Sequence, residues 1–197
     1  LELFRKEEIN NFLKKRSNPI ILANILIKKL IYFGIVPFSK FARCAFIGKK
    51  FLNSMLDKKL ISQKEYSKLL ISINTVSNEY RKLKIKSLKN KFNLNQFNNY
   101  FYHLRPGTYD IKTNRSIPGI KYWKIDNFNN FFKINNQYRK IISPHKIKKI
   151  NAYLKIKKIK MNADEIFKYS LTSMKLRENS KFIFTRTLSD ILELIKL

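Results

Sequence analysis

The residues best suited to chemistry sit in one run, His103-Leu104-Arg105-Pro106-Gly107-Thr108-Tyr109-Asp110. It joins an imidazole, a guanidinium, a hydroxyl, a phenol and a carboxylate to a Pro-Gly turn whose backbone amides would face an anion. Arg105 and Asp110 could equally pair with each other while His103 finishes the preceding helix, because loops need polar closure in any case. A second run, Lys181-Phe182-Ile183-Phe184-Thr185-Arg186-Thr187-Leu188-Ser189-Asp190, places Phe182, Arg186 and Ser189 on one side of a helix. Arg186 and Asp190 are neighbours there by a step of four, able to form a buried ion pair that orients helices without doing chemistry. The third feature is the acid-free stretch between Asp126 and Asp164, rich in Lys and carrying Tyr138 and Tyr153. It suits a phosphate backbone with stacked bases, or else a Lys-coated helix whose Ile147, Ile150, Leu154 and Ile159 point inward.

These side chains must be positioned by helices. Apolar spacing predicts a helix over Leu1 to Arg16, stopped by Ser17-Asn18-Pro19. A second should start at Pro19 and run to Phe33, with Gly34 as its C-terminal cap. Pro37 and Ser39 open a third, ending near Asp57 to Leu60. Ser62 and Glu65 have the spacing of a reciprocal cap, and a long helix to about Ser87 should follow. A shorter helix covers about Leu94 to His103. From there to Asn136 the chain has Pro106, Gly107, Pro118, Gly119 and little helical period, which predicts a long ordered loop over about 104–136. Ser143-Pro144 starts a helix to about Lys160, and Asn162-Ala163-Asp164-Glu165 starts a last one that reaches Leu197. The expected fold is all-α, an irregular multi-helix array with one long loop. The 197 residues are expected to make a single helical domain or fragment, with subregions 1–103 (helical), 104–142 (loop) and 143–197 (helical).

Composition narrows the function. The chain carries 42 Lys and Arg against 13 Asp and Glu, a formal net charge of +29. The surplus is 33 Lys but only 9 Arg, in a sequence also rich in Ile and Asn. Two explanations compete: a polyanion-binding surface, or compositional drift that loads solvated faces with Lys. Readers of phosphate and bases usually rely on the planar fork of Arg as well. Cys44 is the single cysteine, so no internal disulfide forms and a reducing, cytoplasmic setting is expected. The apolar stretch Pro19 to Phe38 is interrupted by Asn24, Lys28 and Lys29, which argues against a membrane span. No Walker-type loop, GxGxxG, Gly-x-Ser-x-Gly elbow, zinc spacing or carboxylate cluster for Mg is present. A self-contained enzyme is therefore not expected, and no catalytic or metal-ligating residue is assigned.

Four segments carry a family resemblance: HLRPGTYDI from His103, the stretch Tyr32-Phe33-Gly34-Ile35-Val36-Pro37-Phe38-Ser39-Lys40-Phe41-Ala42-Arg43, the stretch Leu70 to Ser77, and KFIFTRTLSDILEL from Lys181. In the same order over nearly the whole chain, they resemble the central helical region of phosphoenolpyruvate synthase-like proteins. These are multidomain relatives of pyruvate, phosphate dikinase and rifampicin phosphotransferase. Tyr102 stands where the family typically has Gly before the loop histidine. The resemblance implies that ATP, with Mg, binds in a grasp-type domain, and that a histidine on a swivelling domain carries the phosphoryl group. Those domains, in the same parent or on a separate chain, are the expected partners. The middle region would bind a small-molecule acceptor or serve in docking. On that basis His103, Arg105, Tyr109 and Asp110 are the expected acceptor-binding residues, with Arg43, Lys181 and Arg186 as further candidates. Neither His103 nor His145 sits in a phosphohistidine-like motif, so the chain alone is expected to be inactive and to hold no cofactor. The alternatives are a basic nucleic-acid-binding, ribosome-associated protein and a non-catalytic helical scaffold.

Overall fold

A computed structural model of the chain describes residues 1–15, 18–73, 75–88, 93–105, 107, 109–115 and 137–196. The protein is all-α, with no strand among the described residues. Most of the expected long loop, residues 116–136, lies outside them, as do Pro106 and Thr108.

The helices are α1 (Glu2–Lys15), α2 (Pro19–Leu30), α3 (Val36–Asp57), α4 (Gln63–Ser72), α5 (Val76–Leu88), α6 (Leu94–Phe101), α7 (Pro144–Ile156) and α8 (Ala163–Lys196). Their starts follow local chemistry. The Asn18 side chain accepts from the Ile20 amide with Pro19 in the first turn, and Ser143 does the same for Lys146 ahead of Pro144. At α4 the Ser62 hydroxyl accepts from the Glu65 amide while the Glu65 carboxylate accepts from the Ser62 amide at 2.8 Å. Asn162 and Glu165 make the same reciprocal pair at the start of α8.

Two expectations need correction. Gly34 does not end a helix: residues Ile31–Ile35 form a π-helical turn that joins α2 directly to α3. The Val36 amide donates to the Ile31 carbonyl, five residues back, which admits the extra residue just before Pro37. Gly34 is buried because of packing, since a Cβ there would lie 3.2 Å from Phe184 Cβ and 2.9 Å from Leu30 Cδ1. Conversely, the long helix expected after Ser62 is two helices. Ile73 leaves helical geometry (ψ 109°) and, like Val76, is buried, so the chain breaks to place both side chains inward.

The chain divides into two compact units, each built from non-contiguous segments. One comprises Leu1–Phe38, Val76–Phe128 and Asn179–Leu197; the other Ser39–Thr75 and Asn129–Glu178. The first has an aliphatic core of Ile9, Leu22, Leu26, Leu30, Ile191 and Leu194. It also has an aromatic cluster in which Phe101 meets Tyr80 at 4.9 Å and Phe182 at 5.9 Å. The second is centred on an apolar cluster, with Leu52, Leu69, Ile142, Ile150, Ile166 and Phe167 buried together. There α3 and α8 approach closely: a Cβ on Gly48 would lie 2.7 Å from Ser170 Cα. Two helices of this unit, α3 and α7, end with Lys59 and Lys158 in the left-handed region (φ 53° and 54°). The following amides, of Leu60 and Ile159, reach back to the carbonyls of Met55 and Leu154. This is a Schellman closure, built here on Lys where Gly is the usual residue.

Candidate functional site

The loop after α6 and the last third of α8 meet inside the first unit. Its polar centre is Asp190, which the helical period of α8 sets one turn beyond Arg186 and beside Ser189. Asp190 Oδ2 accepts from Arg5 Nη1 at 2.6 Å, and Oδ1 accepts from Arg115 Nη2 at 2.6 Å. The Tyr102 hydroxyl lies 3.2 Å from Oδ2. Arg105 reaches the same helix one turn on, donating from Nη2 to Ser189 Oγ at 2.9 Å and to Glu193 Oε1 at 2.8 Å. Its Nη1 donates to the Thr113 carbonyl at 3.1 Å. Arg115 Nε also donates to Ser189 Oγ, at 3.0 Å. Arg186 turns away from Asp190: its Nη2 donates to the Tyr100 carbonyl at 2.7 Å, and its Nη1 is 3.8 Å from Glu2 Oε2. Glu2 is held mainly by Arg5, at 2.9 Å.

The local fold explains how these heads converge. Arg5 and Glu2 share a face of α1 by a step of three. The chain after Arg105 folds back through a turn in which the Asp110 amide and the Thr113 hydroxyl both donate to the Gly107 carbonyl. Asp110 Oδ1 accepts from the Lys112 amide. This brings the Thr113 carbonyl to Arg105 and carries Arg115 to Asp190.

Four arginines (Arg5, Arg105, Arg115 and Arg186) are thus buried around the buried carboxylate of Asp190, with the half-buried carboxylates of Glu2 and Glu193 at their edge. A buried cation is tolerated only when paired, and here most guanidinium groups reach a carboxylate or carbonyl. Burial alone would lower the Arg5 pKa, but Asp190, Tyr102 and Glu2 outweigh it and raise it above its ordinary value. Burial raises the Tyr102 phenol, helped by Asp190 and opposed by the arginines, so it stays neutral. Tyr102 also offers its ring to guanidinium groups, with Arg115 4.9 Å and Arg186 5.3 Å from the centroid.

His103 occupies the apolar side of this cluster, its ring 4.6 Å from that of Phe182 in an edge-on arrangement. It is 3% exposed and, among the described residues, neither ring nitrogen has a hydrogen-bond partner. Burial, then the charges of Arg186, Arg115, Arg5 and Arg105, hold its pKa well below the ordinary histidine value. A neutral imidazole bonded to no nucleophile and no carboxylate among the described residues is not placed there as a general base.

Of the residues singled out from the sequence, His103, Arg105 and Arg186 come together in the cluster. Asp110 is exposed and shapes the turn instead of pairing with Arg105. Tyr109 is 67% exposed. Lys181 is exposed on α8, and Arg43 is exposed on α3 within the second unit. The Arg186–Asp190 pair suggested by spacing does not form as such, because Arg5 and Arg115 occupy both Asp190 oxygens. Arg5, Arg115, Tyr102 and Glu193 were not anticipated. The available signal was residue choice: in a chain with 33 Lys and 9 Arg, a persistent Arg marks a place where Lys would not serve.

In the Lys-rich stretch Tyr138 is buried in the second unit, stacked on Phe167 at 5.5 Å and donating to Asp164. Ile150 and Leu154 point inward as expected, while Ile159 is exposed. Among the described residues no group of three His, Cys, Asp or Glu side chains gathers to hold a metal. No family model, curated protein or solved structure matches this chain.

Proposed function

We propose that this chain is the central helical portion of a phosphotransferase resembling phosphoenolpyruvate synthase, where it binds or docks an anionic acceptor. ATP, Mg and the phosphohistidine carrier belong to other domains of the parent, and the 197 residues are inactive by themselves. One observation carries the reading: two of the segments that bear the resemblance, over 80 residues apart in sequence, contribute to one cationic cluster through Arg105, Ser189 and Glu193. Arginine forks suit carboxylate and phosphoryl oxygens, the groups such an acceptor would offer. Arg105 is the principal binding residue in this reading, with His103 and Arg186 shaping its surroundings.

A second reading has a specific observation behind it. His103 and Arg105 are buried, and the two Nη atoms of Arg105 already meet protein acceptors, as in a helical scaffold whose charges serve packing. One experiment separates the two. Isotope exchange between ATP and acceptor is measured with the 197-residue chain alone, then with the parent carrying all its domains, as wild type and as Arg105→Lys. The acceptor reading expects no exchange from the chain alone, and in the parent a raised KM for acceptor with the melting temperature nearly kept. Lowered stability with unchanged KM would favour the scaffold. Turnover by the isolated chain would overturn both.

A further inference from the structure

Helix α2 and the π-helical turn after it are apolar around most of their circumference, yet they bury only one side. Leu22, Ala23, Leu26, Leu30 and Gly34 face the core of the first unit. The opposite side follows steps of three and four through Ile20, Asn24, Ile27, Ile31 and Ile35, flanked by Ile21, Lys28 and Tyr32. Its apolar members are between 37% and 71% exposed. At roughly 200 Å² per large side chain, the six exposed apolar residues present on the order of 650 Å², above the ~300–600 Å² of a monomer's largest patch. A helix apolar on all sides is ordinarily covered on all sides. Here the helix from Pro19 reaches a mean hydropathy of 1.8 over a membrane-length window of which only 28% is buried.

We propose that this outward stripe is a membrane-docking surface that seats α2 in the headgroup region of an anionic bilayer. Charge selects the occupant. No acidic residue occurs between Glu8 and Asp57, whereas Lys14, Lys15, Arg16, Lys28 and Lys29 flank or interrupt the stripe. A second copy would bring the same cations against themselves, which disfavours a dimer through this face. Protein interfaces concentrate aromatic residues, Met and Arg at their centre. Apart from Asn24 and Lys28, this stripe is isoleucine with one tyrosine, side chains that hydrocarbon accepts, and Lys stems reach outward to phosphates. The helix lies on the membrane and does not cross it, because crossing would strip Leu22, Leu26 and Leu30 from the protein core. The inference does not rest on the phosphotransferase reading.

The test uses vesicles of phosphatidylcholine with and without phosphatidylglycerol, sedimented with the wild-type chain, with Ile20→Ser/Ile27→Ser/Ile31→Ser, and with the control Ile71→Ser, an exposed apolar site in the other unit. Circular dichroism and melting check that each variant folds. Wild type and the control are expected on the anionic vesicles, with binding that persists in part at raised salt. The triple variant should bind roughly tenfold or more weakly and lose all binding at raised salt. Equal binding by wild type and triple variant would reduce the effect to bulk charge and overturn the proposal. So would absence of wild-type binding, or a wild-type dimer that the triple substitution dissociates.

Discussion

Helix α8 begins among Leu, Ile and Phe in one unit and ends among arginines in the other, so the same helix shows two ways of filling an interior. The second unit buries Ile150, Leu154, Ile166 and Phe167 around α8, and its Arg139–Asp164 ion pair lies towards solvent. The first unit adds to its aliphatic core a buried charge network around Asp190. An apolar interior tolerates drift in composition as long as volume and pattern are kept. A buried guanidinium does not, because its value depends on particular oxygens at particular distances. That contrast explains why a chain so rich in Lys keeps four of its nine Arg in one place.

Breaking each interior at its tightest point should separate the two. The largest effect is expected from Asp190→Asn, which removes the charge shared by Arg5 and Arg115 while nearly keeping shape. Loss of one member of a buried pair costs about 3–5 kcal/mol, to be read as a fall in unfolding free energy by urea titration. Gly48→Ala tests the apolar unit. The added Cβ would meet the Ser170 backbone at 2.7 Å, so α3 and α8 must part. Overpacking of this kind costs about 1–3 kcal/mol, partly offset by ~1 kcal/mol of helix propensity.

His103 gives the first unit a pH dependence of its own. Its folded pKa is depressed by burial and by the facing arginines Arg186, Arg115, Arg5 and Arg105, so below about pH 6.5 the unfolded chain binds a proton that the folded chain refuses. Stability should fall as pH drops through that value, at up to about 1.4 kcal/mol per pH unit. His103→Leu should flatten the melting temperature between neutral pH and the onset of carboxylate titration, and an unchanged slope would remove His103 from this role. The smallest effect, and the only gain, is expected from Lys59→Gly and Lys158→Gly. Each relieves a left-handed residue and should stabilise by about 0.5–1 kcal/mol, visible as a higher melting temperature.

Helix starts were legible because capping is local: Ser62 with Glu65, Ser143 with Pro144, and Asn162 with Glu165 carry their own partners within three residues. Gly34 was misleading because glycine serves both as a cap and as a point of close approach. The choice between them is made by Phe184, 150 residues later. The candidate site was half legible. His103, Arg105 and Arg186 stand out by type, whereas nothing in the local spacing of α1 singles out Arg5. Its partner Asp190 is 185 residues away, beyond the reach of any local pattern. Tyr102 supplies a hydroxyl to the network beside Asp190, again across a separation that no local pattern spans.

Hydrogen exchange resolved by segment, comparing wild type with Asp190→Asn, tests most directly whether the first unit is organised around this charge network. Lost protection is expected in α1, in the end of α6 and in Asn179–Lys196, with Pro144–Ile156 and Gln63–Ser72 nearly unchanged. Full protection of α1 and the end of α8 in the variant would contradict it.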